Sequence, residues 1–282
     1  MQTGKYDLLI HGGLVVDGTG TPGVTADIAV VDGRIVAIGD LAGSGATEVI
    51  DATGKVVCPG FVDPHTHYDA QLFWDPYATP SCQHGVTSVV MGNCGFSIAP
   101  LGDDSDAEYL AAMLVRVEGM SPAALAEGVD WDWRSFGDFL GRFEGKLGVN
   151  VAGMVGHSAL RRMVMKDDAV SREATATELV EMQRVLAESL EAGGLGFSTS
   201  RSFTHSDGDG RPVPSRPAAV DEVVALCGVC ADYPGTTLEW VADGCMNGFT
   251  DDEVDLMTRM SLAARRPVNW NVLTIDSARP DD

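Results

Sequence analysis

Two histidines one residue apart, His65 and His67, stand in the segment Gly60-Phe61-Val62-Asp63-Pro64-His65-Thr66-His67. In an extended segment side chains alternate, so both imidazoles point the same way and can reach one divalent cation from a strand end. Asp63 shares their phase and could orient an imidazole or the metal site from behind. Cys94 is the next candidate, in Gly92-Asn93-Cys94-Gly95 after the apolar run that ends at Met91. Flanking glycines leave its sulfur accessible, and a thiolate can bind one metal ion or bridge two. A free cysteine is more often a small buried hydrophobe. Its position one strand after the histidine pair favours the ligand reading.

Other candidates are less specific. His157 follows Val155-Gly156, and Ser198 falls in Phe197-Ser198-Thr199, each at the end of a run with strand character. Either could touch substrate or support a ligand, and a hydrogen-bonded structural histidine is an equal reading of His157. His205 lies in a polar loop, residues 201–217, that either covers a substrate or faces solvent. Cys227-Gly228-Val229-Cys230 has redox or zinc spacing, yet it sits in a helical pattern without a second such pair, which favours packing. Asp130 to Trp133 and Phe136 read as an aromatic packing patch. The sequence has no glycine-rich phosphate loop and no Gly-x-Ser-x-Gly elbow.

The elements that must position these residues alternate from about Val56 onward. Strand patterns at Val56–Cys58, Thr87–Met91, Val149–Val155, Leu195–Thr199, Thr237–Val241 and Val268–Val272 are separated by helical patterns, including 173–192, 217–231 and 251–264. Such alternation implies a parallel sheet with both faces covered. Six steps of a (β/α) barrel are visible where eight close one, and barrel chemistry sits at the C-terminal ends of the strands. Before them lie short strands, with Asp32-Gly33 as a hairpin turn and Gly12-Gly13 as a second turn. The expected organisation is a small β-sandwich module over 1–57 and an incomplete TIM-like α/β barrel over 58–282.

Of 282 residues, 45% are apolar, and 19 basic residues face 41 acidic ones, a net charge of −22. That surface repels phosphate backbones and anionic membranes, so no nucleic-acid or membrane partner is expected; a small-molecule substrate is expected from the metal-site reading instead. The start lacks the apolar stretch of a signal peptide, and the six cysteines are scattered. A cytoplasmic protein is expected. An open barrel exposes strand edges, which makes a homo-oligomer one way to cover them.

Several segments together resemble the D-aminoacylase (N-acyl-D-amino-acid deacylase) branch of the amidohydrolase superfamily. They are Pro59 to His67, Gly85-Val86-Thr87 before Gly92-Asn93-Cys94-Gly95, Met154 to Arg161, and Gly193 to Thr199. The resemblance spans about residues 5–225 and implies a TIM-like barrel with a β-sandwich built from both chain ends. It implies one or two zinc ions bound by the cysteine and by histidines on strands five and six, with His65 and His67 forming a weaker second site. A strand-eight aspartate would be the general base, beyond residue 282. Where the branch carries the strand-five histidine, Leu238-Glu239-Trp240 offers Glu239, which can still bind zinc through oxygen. For strand six the sequence offers only Asn269 and Asn271.

The metal set expected here is therefore His65, His67, Cys94 and Glu239. The implied reaction is hydrolysis of an amide, as in N-acyl-D-amino-acid deacylation by metal-activated water. The 282 residues alone are expected to be inactive. Two alternatives stand beside it. One is an amidohydrolase acting on a cyclic amide or other carbonyl with an altered metal set. The other is a non-catalytic barrel serving as a binding or assembly module.

Overall fold

At the hairpin turn expected from the sequence, Asp32 and Gly33 both take left-handed backbone, φ 51° and 70°, as a tight turn requires. They join strand β2 (Val24–Val31) to β3 (Arg34–Gly39) in a computed structural model that describes residues 6–246 and 248–271. Two compact units divide between Phe61 and Val62.

The first unit is one mixed sheet in the order β3-β2-β1-β4, with β5 also paired to β1. Here β1 is Tyr6–Val15, β4 Ala46–Asp51 and β5 Val56–Val57. Two expectations change. Gly12-Gly13 does not turn the chain; it makes a bulge inside one ten-residue strand, with Gly12 at φ 72° and its N–H donated to Asp27 Oδ1 at 2.9 Å. Gly13 is where β5 passes closely, since a Cβ there would lie 2.5 Å from Val57 Cγ2. Val56–Val57 therefore belongs to this sheet, pairing with Leu14 and Val15, and is not the first barrel strand. Tyr6, Leu9 and Ala29 form its small core.

The second unit holds a six-stranded sheet in sequential order, β6 (Phe61–Asp63), β7 (Val86–Met91), β8 (Asn150–Gly156), β9 (Gly196–Ser200), β10 (Thr237–Val241) and β11 (Val268–Trp270). The pairings from β7 to β11 are parallel, and sequential winding of this kind is how a (β/α) barrel is built. Every residue of β9 is buried, as befits a strand covered on both faces. Val272, the last residue of the expected sixth strand, lies outside the described residues.

Helices α1 (Asp104–Glu118), α2 (Pro122–Gly128) and α3 (Phe136–Gly141) lie between β7 and β8. Helices α4 (His157–Met165) and α5 (Ala176–Glu191) precede β9, α6 (Val220–Val229) precedes β10, and α7 (Asp251–Ala264) precedes β11. Thr175 and Thr250 open α5 and α7 with capping boxes closed by Glu178 and Glu253. The apolar spacing in α5 buries Met182, Val185, Leu186 and Leu190. Trp133, Phe136 and Phe139 are fully buried, with Phe73 stacked on Trp133 at 5.3 Å, so the aromatic patch is packing. Cys227 and Cys230 are free, buried members of the same core. Among the described residues no helix is long and apolar enough to cross a membrane.

Candidate metal centre

After β6 the chain runs on past its last ladder residue, and Thr66 fixes its orientation. Both the N–H and the hydroxyl of Thr66 donate to the Val90 carbonyl of β7, at 2.9 and 2.8 Å. With Thr66 held to one side, His65 and His67 turn together to the other, their Nε2 atoms 3.3 Å apart. Asp63 accepts the backbone N–H of His65 at 3.2 Å, so it shapes the loop and does not hold the ring.

Cys94 reaches the pair from the carboxyl end of β7. Gly92, Cys94 and Gly95 all take positive φ (76°, 57° and 76°), a sharp turn that aims the cysteine inward. Only glycine fits at 92, because a Cβ there would collide with the Met154 carbonyl. Cys94 Sγ stands 3.4 Å from His65 Nε2 and 3.6 Å from His67 Nε2. One ligand atom from each of the three residues lies within 4.8 Å of the other two.

Carboxylates surround this triad. Glu239 on β10 is buried; it accepts the Cys94 N–H at 2.7 Å, also accepts from Asn271, and lies 3.9 Å from His65 Nδ1. Glu118, at the end of α1, stands 3.6 Å from His67 Nε2. Asp69 accepts the Gly92 N–H at 2.9 Å, and its other oxygen is buried without a hydrogen-bond partner. Burial pushes Glu239 up to about 8, and Asp69 and Glu118 to about 7. Burial likewise drives His67 down to about 3, with His65 and His205 beside it adding to the effect.

These shifts share one meaning. Without a cation the pocket favours neutral imidazoles, a protonated thiol and protonated acids. A bound divalent ion reverses that preference. Two imidazoles and a thiol whose donor atoms lie together form a set that suits zinc, and the Glu239 carboxyl stands outside that group, on the Cys94 amide. The Nδ1 atoms of His65 and His67 are buried without hydrogen-bond partners, so neither imidazole is fully satisfied by the protein itself. The residues fit the metal that the sequence implies.

The remaining candidates stand outside the triad. His157 is fully buried, with Nδ1 on Thr199 Oγ1 (2.8 Å) and Nε2 on Glu222 Oε1 (2.9 Å), and Glu222 is clamped by Arg161 at 2.6 Å. The structure thus makes it a strut between β9, α4 and α6. Ser198 touches the cysteine turn, donating to Gly92 O at 2.5 Å and accepting from Gly95 N–H at 3.0 Å. His205 stacks edge-on to Phe96 at 4.8 Å and bonds Ser200.

A cavity of about 430 Å³ opens at the cluster, lined by His65, His67, Tyr68, Gln71, Glu118 and Met120 among others. A larger cavity, about 1100 Å³, lies along α1 and α2 and includes none of the cluster. The chemistry marks the smaller one. Sequence reasoning passed over Asp69 and Glu118 as site residues. Asp69 continues the two-residue phase of 63, 65 and 67 and was findable on that ground. Glu118 is an ordinary polar helix position until the fold brings it to His67.

A sequentially wound sheet with a His-x-His pair and a cysteine at the carboxyl ends of adjacent strands defines a class of metal-site barrels. The chain belongs to the Amidohydrolase family, whose profile matches residues 48–281. It is 37% identical over 223 residues to a D-aminoacylase of Alcaligenes xylosoxydans xylosoxydans, covering 79% of this chain and 41% of that protein. An N-acyl-D-aspartate deacylase of the same organism is 37% identical, covering 79% of this chain and 40% of its own length.

A solved D-aminoacylase with a binuclear metal centre matches at TM-score 0.75 and 35% identity, covering 93% of this chain and 50% of that one. An N-acyl-D-glutamate deacylase from Bordetella bronchiseptica, complexed with zinc and a phosphonate mimic of the tetrahedral intermediate, matches at TM-score 0.72 and 31% identity, covering 94% and 50%. The chain thus spans about two fifths of these curated relatives and about half of the solved ones. The D-aminoacylase resemblance noted in the sequence is met by all four.

Proposed function

We propose that this protein is a metal-dependent amide hydrolase that deacylates N-acyl-D-amino acids, with His65, His67, Cys94 and Glu239 holding one or two zinc ions. The observation that carries this reading is the convergence of His65 Nε2, His67 Nε2 and Cys94 Sγ to separations of 3.3–3.6 Å. A bound zinc ion would lower the pKa of water and polarise the scissile carbonyl. The chain's own part is to hold neutral imidazoles toward that point, to keep Glu239 against the Cys94 amide, and to place the Glu118 carboxyl beside His67. The deacylase relatives support the choice of substrate.

A second reading, an amidohydrolase acting on a cyclic amide or other carbonyl, is favoured by one feature. Glu239, hydrogen-bonded by Asn271, stands where the resemblance implies a histidine. Metal analysis of the full-length protein, with assays on N-acetyl-D-amino acids, their L forms and cyclic amides, separates the readings. The expected result is at least one zinc per chain and turnover of the D substrates. Turnover of cyclic amides alone selects the second reading, and well under one zinc per chain refutes both.

A further inference from the structure

Cys94 is held in position by side chains that are outside the metal-ligand set. The cysteine turn has three internal tethers besides the Glu239 bond to its amide. Ser198 Oγ donates to Gly92 O at 2.5 Å and accepts Gly95 N–H at 3.0 Å, gripping the turn on both sides of the cysteine. Asp69 Oδ2 accepts Gly92 N–H at 2.9 Å from the opposite direction. Ser198 is wholly buried in β9 and Asp69 is almost so, which shields these bonds from bulk water.

We infer that Ser198 and Asp69 are positioning residues for Cys94, a clamp that fixes the left-handed turn and so the direction of its sulfur toward His65 and His67. The argument is geometric. Cys94 adopts φ 57°, a region that disfavours a side chain. A turn of this kind relaxes toward ordinary backbone unless its surroundings over-determine it. The groups that over-determine it are the bonds to the amide and carbonyl of Gly92 and the amide of Gly95. Moving either flanking glycine rotates the Cys94 Cα–Cβ bond away from the imidazoles. Ser198 stands in register opposite Glu239 on β10, so two adjacent strands grip one turn.

The inference rests on the proposed metal site, and cobalt(II) tests the two separately. The full-length protein, stripped of metal and titrated with Co²⁺, should show a thiolate-to-cobalt charge-transfer band that Cys94→Ala abolishes. Ser198→Ala should still bind Co²⁺ through the histidines, but with about 10- to 100-fold weaker affinity and a band reduced to a small fraction of the wild-type intensity. A role confined to fold stability would lower the unfolding midpoint and leave that band intact. Should Ser198→Ala not fold, Asp69→Ala, which frees the Gly92 amide, carries the test and should weaken the band in the same sense. A folded variant of either kind with wild-type affinity and band overturns the clamp. A wild type with no thiolate band removes the metal reading and the clamp together.

Discussion

Glu222→Gln exchanges one carboxylate oxygen for an amide with almost no change of shape, in a place where charge matters most. Glu222 is 3% exposed and Arg161 is 0% exposed. Both carboxylate oxygens accept Arg161 Nη1 at 2.6 Å, and Oε1 also takes His157 Nε2 at 2.9 Å. The remaining bonds of Arg161 run to the backbone carbonyls of Ala169 and Arg172, so Glu222 is the carboxylate that balances its charge. A charge pair at about 4 Å is worth about 4 kcal/mol at an effective dielectric near 20. Removing one partner of a buried pair typically costs about 3–5 kcal/mol, and we expect that loss here.

The assay is urea unfolding followed by tryptophan fluorescence and far-ultraviolet circular dichroism, with m unchanged. In Glu222→Gln/Arg161→Met both charges are gone, and the double variant should be less destabilised than the two single losses combined, by about 2 kcal/mol or more. Burial alone would raise the Glu222 carboxyl, but His157 and Arg161 hold it down at about 2, below the ordinary 4.5. A depressed carboxyl stabilises fully above 4.5, and that contribution disappears as pH falls toward 2. The wild type should therefore lose its advantage over the variant across that window. A Glu222→Gln loss under about 1 kcal/mol, or strict additivity in the cycle, would refute the reasoning and return His157 to the list of groups free for chemistry.

Metal-free protein should lose the stability contributed by its raised buried carboxyls progressively from about pH 4 to about pH 8. Glu239, Asp69 and Glu118 titrate well above their unfolded values, so the stability they confer when protonated is lost as pH rises through about 7 to 8. Thermal unfolding across that range with and without zinc checks this, and equal slopes in both samples would contradict it. Gly92→Ala combines a positive φ with a collision against the Met154 carbonyl, and should cost about 3 kcal/mol or more. Soluble yield and urea midpoint read it out; a shift under 1 kcal/mol would show that the turn can open.

Much of the candidate cluster was legible because its signals are local. The two-residue spacing of His65 and His67 needs only an extended backbone, and Cys94 needs only the glycines that turn it. Asp32-Gly33 and the α7 limits were legible for the same reason, since turn and cap chemistry lie in neighbouring residues. What stayed hidden depends on contacts distant in sequence. Glu118 reads as helix surface until the end of α1 arrives beside His67, and His157 reads as a strand-end candidate until Glu222 and Thr199 close around it. Val56–Val57 has strand character in either sheet, and its proximity to Gly13 decides which one it joins. At Gly12-Gly13, a bulge and a turn draw on the same backbone freedom, and only the register, with Ile10 opposite Ile28 and Gly13 opposite Ala26, tells them apart.

The left-handed backbone of Cys94 sets a condition on how this protein can be improved. Glycine would be more comfortable at φ 57°, by about 1 kcal/mol or more, and would also erase the sulfur. The sequence that best suits the empty fold and the sequence that best holds an ion therefore part company at this one residue. Any optimisation that rewards thermal resistance of metal-free protein would discard the thiol early and register it as progress. Selection carried out with the ion present would instead favour keeping the strained turn and strengthening what surrounds it.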